Sequence, residues 1–262
     1  MTQPTDTSRI VLEVCVESLD DAMIAEAHGA DRLELNSALS LGGLSPSAGL
    51  LLECLQHVSI PIVAMCRPRA GSFHYSPSEV QTMLRDARWM LEAGAAGIAF
   101  GFLTADDEID REKTVQMRKL IGDRTAVFHR AFDMTPDLPS ALDTLIELKI
   151  DRVLTSGGAT NMTAGIDVLR MLEQQSQGRI EVLPGSGLSA DHVTTFLEQT
   201  GCRQVHGSLS KVEIDQVVAE RPRLRFVDPH VMDERRRVRI SADRVQEMRS
   251  CLDAISSRSN KS

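Results

Sequence analysis

Short runs rich in β-branched and apolar residues alternate eight times with longer amphipathic stretches, from residue 9 almost to residue 208. The runs read RIVLEVCVES, DRLELNS, PIVAMCRPR, AGIAFGF, TAVFHRAF, DRVLTSGG, RIEVLPGSG and RQVHGS. Between them lie helical patterns such as SLDDAMIAEAHGA, where Ser18 can cap the first turn, and SPSEVQTMLRDARWMLEAGA, where Pro77 suits a helix start. The even-numbered runs are entered through related junctions, AHGADRLEL, EAGAAGIAF, ELKIDRVLT and EQTGCRQVH, spaced about fifty to sixty-five residues apart as four double βα units would be. All but ELKIDRVLT carry Gly at the helix end, where a left-handed cap turns the chain sharply back into a strand.

This alternation predicts a closed (β/α)8 TIM barrel. The rival is an open doubly wound sheet, but no G-x-G-x-x-G opens the first helix. A barrel commonly fills about 250 residues as one domain, so the chain of 262 is expected to be a single domain over 1–262, with the barrel at about 9–208. The tail, about 209–262, ends in an additional helix that starts after Ser241 and sets Val245, Met248, Leu252 and Ile255 on one stripe. That stripe must be buried on the barrel or on a partner subunit, which makes a homo-oligomer the expectation.

A net charge of −8 argues against nucleic acid or an anionic membrane as partner, since both need a basic face. The basic run RRRVR (235–239) reads as a solvated patch before the last helix. The start MTQPTDTSRI lacks the pattern of a secretory signal, and no apolar stretch reaches bilayer length. A cytoplasmic location follows. The five cysteines form no C-x-x-C pair and are odd in number, which predicts reduced thiols rather than a disulfide framework or a structural zinc site.

Ligands of such barrels bind at the C-terminal ends of the strands. Alternation puts Glu13 with Cys15, Glu34 with Asn36, Arg67 with Met65, and His129 with Val127 on shared faces, and turns Cys66 toward the helices. Glu13, Glu34, His129 and His206, from four different strands, are the candidate catalytic groups, for packing alone seldom needs so many polar tips. Glu13 and Arg67 could instead neutralise each other inside the barrel. By the same alternation Arg130 is expected to lean away from the mouth and meet a carboxylate, while Asp133 accepts from Arg or caps a turn.

Arg67 and Arg69 are candidate anion ligands. So are the loops TSGGA, PGSGL and HGSLS, through Thr155, Ser156, Gly157, Gly185, Ser186, Gly187 and Ser208, because glycine amides before a helix can cradle a phosphate or carboxylate. Tight strand-to-helix turns would explain the same glycines. Every lysine is expected to lie off the inward strand ends, which speaks against Schiff-base chemistry, and neither G-x-S-x-G nor H-E-x-x-H occurs.

LEVCVES, GADRLELNSALSLGGLSPS, CRPRAGSFHYS, FGFLTADDEID, VFHRAFDM, RVLTSGG, GRIEVLPGSG and VHGS, in this order, closely resemble the CutC family, named for copper homeostasis. The resemblance runs from about residue 9 to 210 and implies a TIM barrel that handles Cu(I) through cysteines near its mouth, one of them at the position of Cys15. Some relatives carry a second cysteine where this chain has Asn36, and Cu(I) prefers soft thiolate or thioether donors, so copper would be held weakly. Cys66 stands where relatives usually carry an aliphatic residue, and PGSGL replaces PGGGI, placing Ser186 in the anion loop. Two functions are therefore in play. One is a copper-handling protein with Cys15 as metal ligand. The other is a barrel enzyme in which Arg67 holds a small phosphorylated or carboxylated metabolite, Glu13 or Glu34 and His129 exchange protons, and His206 orients substrate or a divalent ion.

Overall fold

All eight apolar runs become parallel strands in the computed structural model, which describes residues 9–220, 233 and 235–259. They are β1 (Val11–Val16), β2 (Arg32–Leu35), β3 (Ile62–Met65), β4 (Gly97–Phe100), β5 (Thr125–Phe128), β6 (Arg152–Thr155), β7 (Glu181–Pro184) and β8 (Gln204–Gly207). Helices α1 (Leu19–Ala27), α2 (Ala48–His57), α3 (Pro77–Ala93), α4 (Arg111–Ile121), α5 (Leu138–Glu147), α6 (Ile166–Ser176) and α7 (Ala190–Thr200) cover the outside. Ser18 accepts from the Asp21 N–H, and Ser76 and Glu79 close a capping box ahead of Pro77, as the residue types require.

The strands pair in the order β7-β6-β5-β4-β3-β2-β1-β8. The barrel is thus nearly closed, and at its seam the Gln204 amide donates to the Val182 carbonyl at 3.4 Å. Gly29, Gly94 and Gly201 take positive φ at three junctions into even-numbered strands. The fourth uses Lys149 at φ 57, a conformation that a Cβ makes unfavourable.

Strand alternation governs the interior. Val63, Met65, Ala99, Val127, Leu154 and Leu183 form an apolar belt inside the barrel, while the opposite strand faces join the larger core under the helices. Charges break the belt at two places: Arg32 of β2 pairs with Glu13 of β1, and Arg152 of β6 with Glu181 of β7 at 2.5 Å. Cys66 lies under the helices, as alternation predicts, and its thiol donates to the Met83 carbonyl at 3.2 Å.

The tail's basic run is solvent-exposed over 235–238, as a solvated patch would be, and it is ordered as part of β10 (Arg236–Ile240), antiparallel to β9 (Ser210–Ile214), with the short α8 (Gln216–Ala219) following β9. Arg239 is tied to Asp20 and Asp21, and Arg235 to Asp233. In the final helix α9 (Ala242–Ser259), Val245, Met248 and Leu252 are fully buried and Ile255 packs on the core. Arg249 pins this helix under the barrel through Asp31 at 2.8 Å and the Ile10 carbonyl at 3.1 Å. The stripe is buried within the chain itself, so the argument it offered for self-association no longer holds. The polar start, residues 1–8, on which the reading of no secretory signal rested, and residues 221–232, 234 and 260–262 of the tail lie outside the described residues. Among the described residues, no helix is long and apolar enough to cross a membrane.

Candidate functional site

At the C-terminal end of the barrel a cavity of about 380 Å³ opens, walled by residues of β1, β2, β3, β6 and β8 and by the loops after β2, β3, β5, β7 and β8. Cys15, Glu34, Arg67, His129, Ser186, Gly187, His206 and Ser208, all anticipated, line it. Asn36, Phe73, Met65, Leu154 and Leu188 are also in the wall.

One side carries a proton-bearing cluster that barrel closure assembles. Glu13 lies opposite Arg32 on one flank and His206 on the other, and Cys15 lies opposite Glu34. Glu13 bonds His206 Nδ1 at 2.7 Å while its other oxygen accepts from Arg32. The His206 Nε2 then stands 3.9 Å from the Glu34 carboxylate. Burial works against the charge on Glu13, but Arg32 and His206 outweigh it and hold the carboxyl below the usual range. At Glu34 burial wins, assisted by repulsion from Glu13, and the carboxyl is raised. Burial also opposes charge on His206, yet Cys15, Glu34 and the bonds to Cys15 and Glu13 raise it well above the ordinary imidazole value. Glu13 therefore orients His206 from beneath the cavity floor and does not line the cavity. Arg32, two residues before Glu34 on the same strand face, is its counter-charge, and that spacing was the signal that identifies it.

With Glu13 neutralised by Arg32, Arg67 has no carboxylate. It is 6% exposed, and its terminal nitrogens donate to the carbonyls of Leu41, Gly43 and Gly71 at 3.0, 3.1 and 3.0 Å. The guanidinium carbon lies 5.0 Å from the centre of the Phe73 ring, its Nε finds no acceptor, and no carboxylate of the described residues forms an ion pair with it.

His129 lines the cavity at 3% exposure, 5.0 Å from the same Phe73 ring. Its Nδ1 accepts from the Ala131 N–H at 3.1 Å, so the neutral ring carries its proton on Nε2, which has no partner. Burial, then the nearby positive Arg67, push its pKa down to about 3. The expected exchange of protons by His129 does not suit such a group, which stays neutral at ordinary pH.

Four anticipated features stand elsewhere. Arg69 turns away from the mouth to Glu79 at 2.5 Å and stacks over Tyr75. The loop amides after β6 are occupied by the protein itself: Asp133 accepts from Thr155 Oγ1 at 2.5 Å and from the Ser156 and Gly158 N–H groups at 3.1 Å, and Gly157 donates to Thr155. Gly185 spends its N–H on the Thr155 carbonyl, and a Cβ there would meet Leu154 at 2.7 Å. Arg130 does meet Asp133, at 2.8 Å, yet it also lines the cavity, because β5 ends at Phe128 and a 3-10 turn over Arg130–Met134 replaces strand alternation.

The model of the CutC family matches residues 10–211. A CutC family protein of Treponema denticola is 43% identical over 75% of this chain and 80% of its own, and the human copper homeostasis protein cutC homolog is 42% identical over 76% and 72%. The solved structure of a CutC protein from Streptococcus agalactiae superposes with a TM-score of 0.73 at 30% identity, covering 76% of this chain and 98% of that one.

Proposed function

This chain belongs to the CutC family, and within that family we propose that its barrel mouth is an acid–base active site for a small anionic metabolite. The observation that carries this reading is the buried Arg67 guanidinium in the cavity wall with no carboxylate to balance it. A buried charge without a counter-charge is strongly unfavourable, and an anionic ligand supplies what the chain does not. In the same cavity Glu34, its carboxyl raised toward neutrality, exchanges a proton with the ligand. His206, fixed at Nδ1 by Glu13, offers Nε2–H beside it. Ser186, Gly187 and Ser208 form a second polar edge suited to a further oxyanion. The free thiols of all five cysteines suit a reducing cytoplasm.

The test is native mass spectrometry on protein purified from cells, followed by exchange of ligand carbon-bound hydrogen in D2O. Wild type is expected to retain a small anion that Arg67→Met loses. Glu34→Gln is expected to keep the anion but slow exchange by about 10²- to 10⁴-fold. If the protein retains no anion and no phosphorylated or carboxylated metabolite raises its melting temperature, the reading is wrong.

Copper is the second reading, favoured by Cys15 facing the cavity beside His206. Soft donors in the cavity wall are few, the Cys15 thiol and the Met65 thioether. Cys15 is the one cysteine among the cavity residues, and Glu13, Glu34 and His206, whose ligand atoms lie within 4.8 Å of one another, offer oxygen and nitrogen instead. Glu13 is in any case already bonded to Arg32 and His206. Anaerobic Cu(I) competition with wild type and Cys15→Ser decides this reading: weak binding lost in the variant supports a Cys15 site, and tight binding that persists removes it.

A further inference from the structure

We propose that His129 contacts the substrate as a neutral hydrogen-bond donor, its Nε2–H held by a carbonyl oxygen of the metabolite, which makes that metabolite a small carbonyl-bearing carboxylate of the 2-oxo acid type. The inference rests on the acid–base reading above and gives its site a substrate class.

The starting point is an imbalance. A buried N–H without an acceptor is unfavourable, and His129 Nε2 is such a group in a cavity wall. The tautomer follows from geometry, because the Ala131 N–H already occupies Nδ1. The ring is held in place by its neighbours. Phe73 packs against it at 5.0 Å, and a Cβ on Gly101 would come within 2.5 Å of His129 Cε1 and 2.7 Å of Nδ1, so only glycine leaves room for it.

The chemistry of the surroundings then selects the ligand. Arg67, beside the same Phe73 ring, calls for the carboxylate. Met65 and Leu154 leave space for a short carbon skeleton rather than a polar one. When the proton next to the carbonyl passes to the Glu34 carboxylate, the C–H pair becomes a C–C double bond. The carbonyl pair then moves onto the oxygen held by His129. A neutral imidazole stabilises that enolate oxygen without surrendering its own proton, which an imidazolium would readily lose. The same low basicity that disqualifies His129 as a base suits it to this task.

Two substitutions separate this role from capping, since His129 also caps the 3-10 turn. Asn at a cap position accepts from the same N–H but has no group at the Nε2 position; Gln places an amide N–H near Nε2 and gives up the cap. The probe is oxalate, a planar dianion shaped like a 2-oxo acid enolate, measured by calorimetry beside inorganic phosphate, with urea unfolding of each sample. His129→Asn is expected to unfold near wild type and to bind oxalate about ten- to a hundredfold more weakly. His129→Gln is expected to be less stable and to bind oxalate close to wild type. In the wild type the Nε2–H proton resonance is expected to move downfield on adding oxalate. Unchanged oxalate affinity in His129→Asn overturns the inference. Binding of phosphate but not oxalate also overturns it and leaves the acid–base reading standing, whereas binding of neither anion removes both.

Discussion

Asp133 fills the loop after β6 with the protein's own carboxylate, and removing it has a cost that the structure lets one estimate. Its oxygens accept from Thr155 Oγ1, the Ser156 N–H and hydroxyl, the Gly158 N–H and Arg130 Nε. Three of these donors have other recourse in Asp133→Ala. Gly158 is exposed and can turn to water, Ser156 Oγ also donates to the Ala159 carbonyl at 2.6 Å, and Arg130 is 43% exposed, so that its ion pair counts for little. The Thr155 hydroxyl and the Ser156 N–H are fully buried and are left unpaired. At about 1–3 kcal/mol for each stranded donor the loss is about 4 kcal/mol, which at an m-value of about 2 kcal/mol/M moves the urea midpoint by about 2 M. Asp133→Asn keeps one acceptor oxygen and is expected to lose about half as much. Formate can enter the vacated cradle of Asp133→Ala, and at ten times its dissociation constant it returns about 1.4 kcal/mol. Equilibrium urea unfolding with and without formate measures both effects. A loss below about 1 kcal/mol, or no response to formate, would show that the loop satisfies its own donors and that the cradle is not an anion site.

Stability is expected to depend on pH from both sides. Glu13, held low by its partners, contributes above its unfolded pKa and the contribution fades as acid reaches its folded value, whereas His206, held high, contributes fully below the ordinary imidazole value and less as pH rises through its folded value. In Glu13→Gln the His206 titration, followed by NMR, is expected to fall by about one unit or more. Brief alkylation at pH 8 is expected to modify half-buried Cys251 first and then Cys15, which is buried but lines the open cavity, and to spare Cys54, Cys66 and Cys202, which are buried away from it, with thiols at Cys54 and Cys202 pushed up to about 11 and about 12 by burial; mass spectrometry that finds Cys66 modified first would contradict its place under the helices. Lys149→Gly relieves the left-handed backbone at the junction into β6 and is expected to stabilise the protein by about 0.5–1 kcal/mol, read as a rise in melting temperature.

Much of the scaffold is legible in the sequence. Period-two runs and glycine junctions are local properties, and they identified all eight strands, the inward faces of Glu13, Glu34, Arg67 and His129, and the outward face of Cys66. Local rules failed where the backbone leaves the strand. The 3-10 turn after β5 carries Arg130 into the cavity, and the capping Glu79 of α3 draws Arg69 out of it. The β9–β10 hairpin was not legible in the sequence because each strand has only five residues, and its alternating Val212, Ile214 and Val238 stay exposed while Ile240 alone reaches the core.

Which charge meets which was decided by strand pairing and barrel closure. The alternation of β1 says that Glu13 points inward, but its partners come from neighbours on both sides: Arg32 from the adjacent strand and His206 from a strand 193 residues away in sequence. Side-chain periodicity is set by the backbone within a few residues, so a sequence displays it directly. A counter-charge is set by distance in space: the returning β8 brings His206 to Glu13, the β1–β2 pairing satisfies Glu13 with Arg32, and Arg67 is left facing the cavity with its charge unanswered.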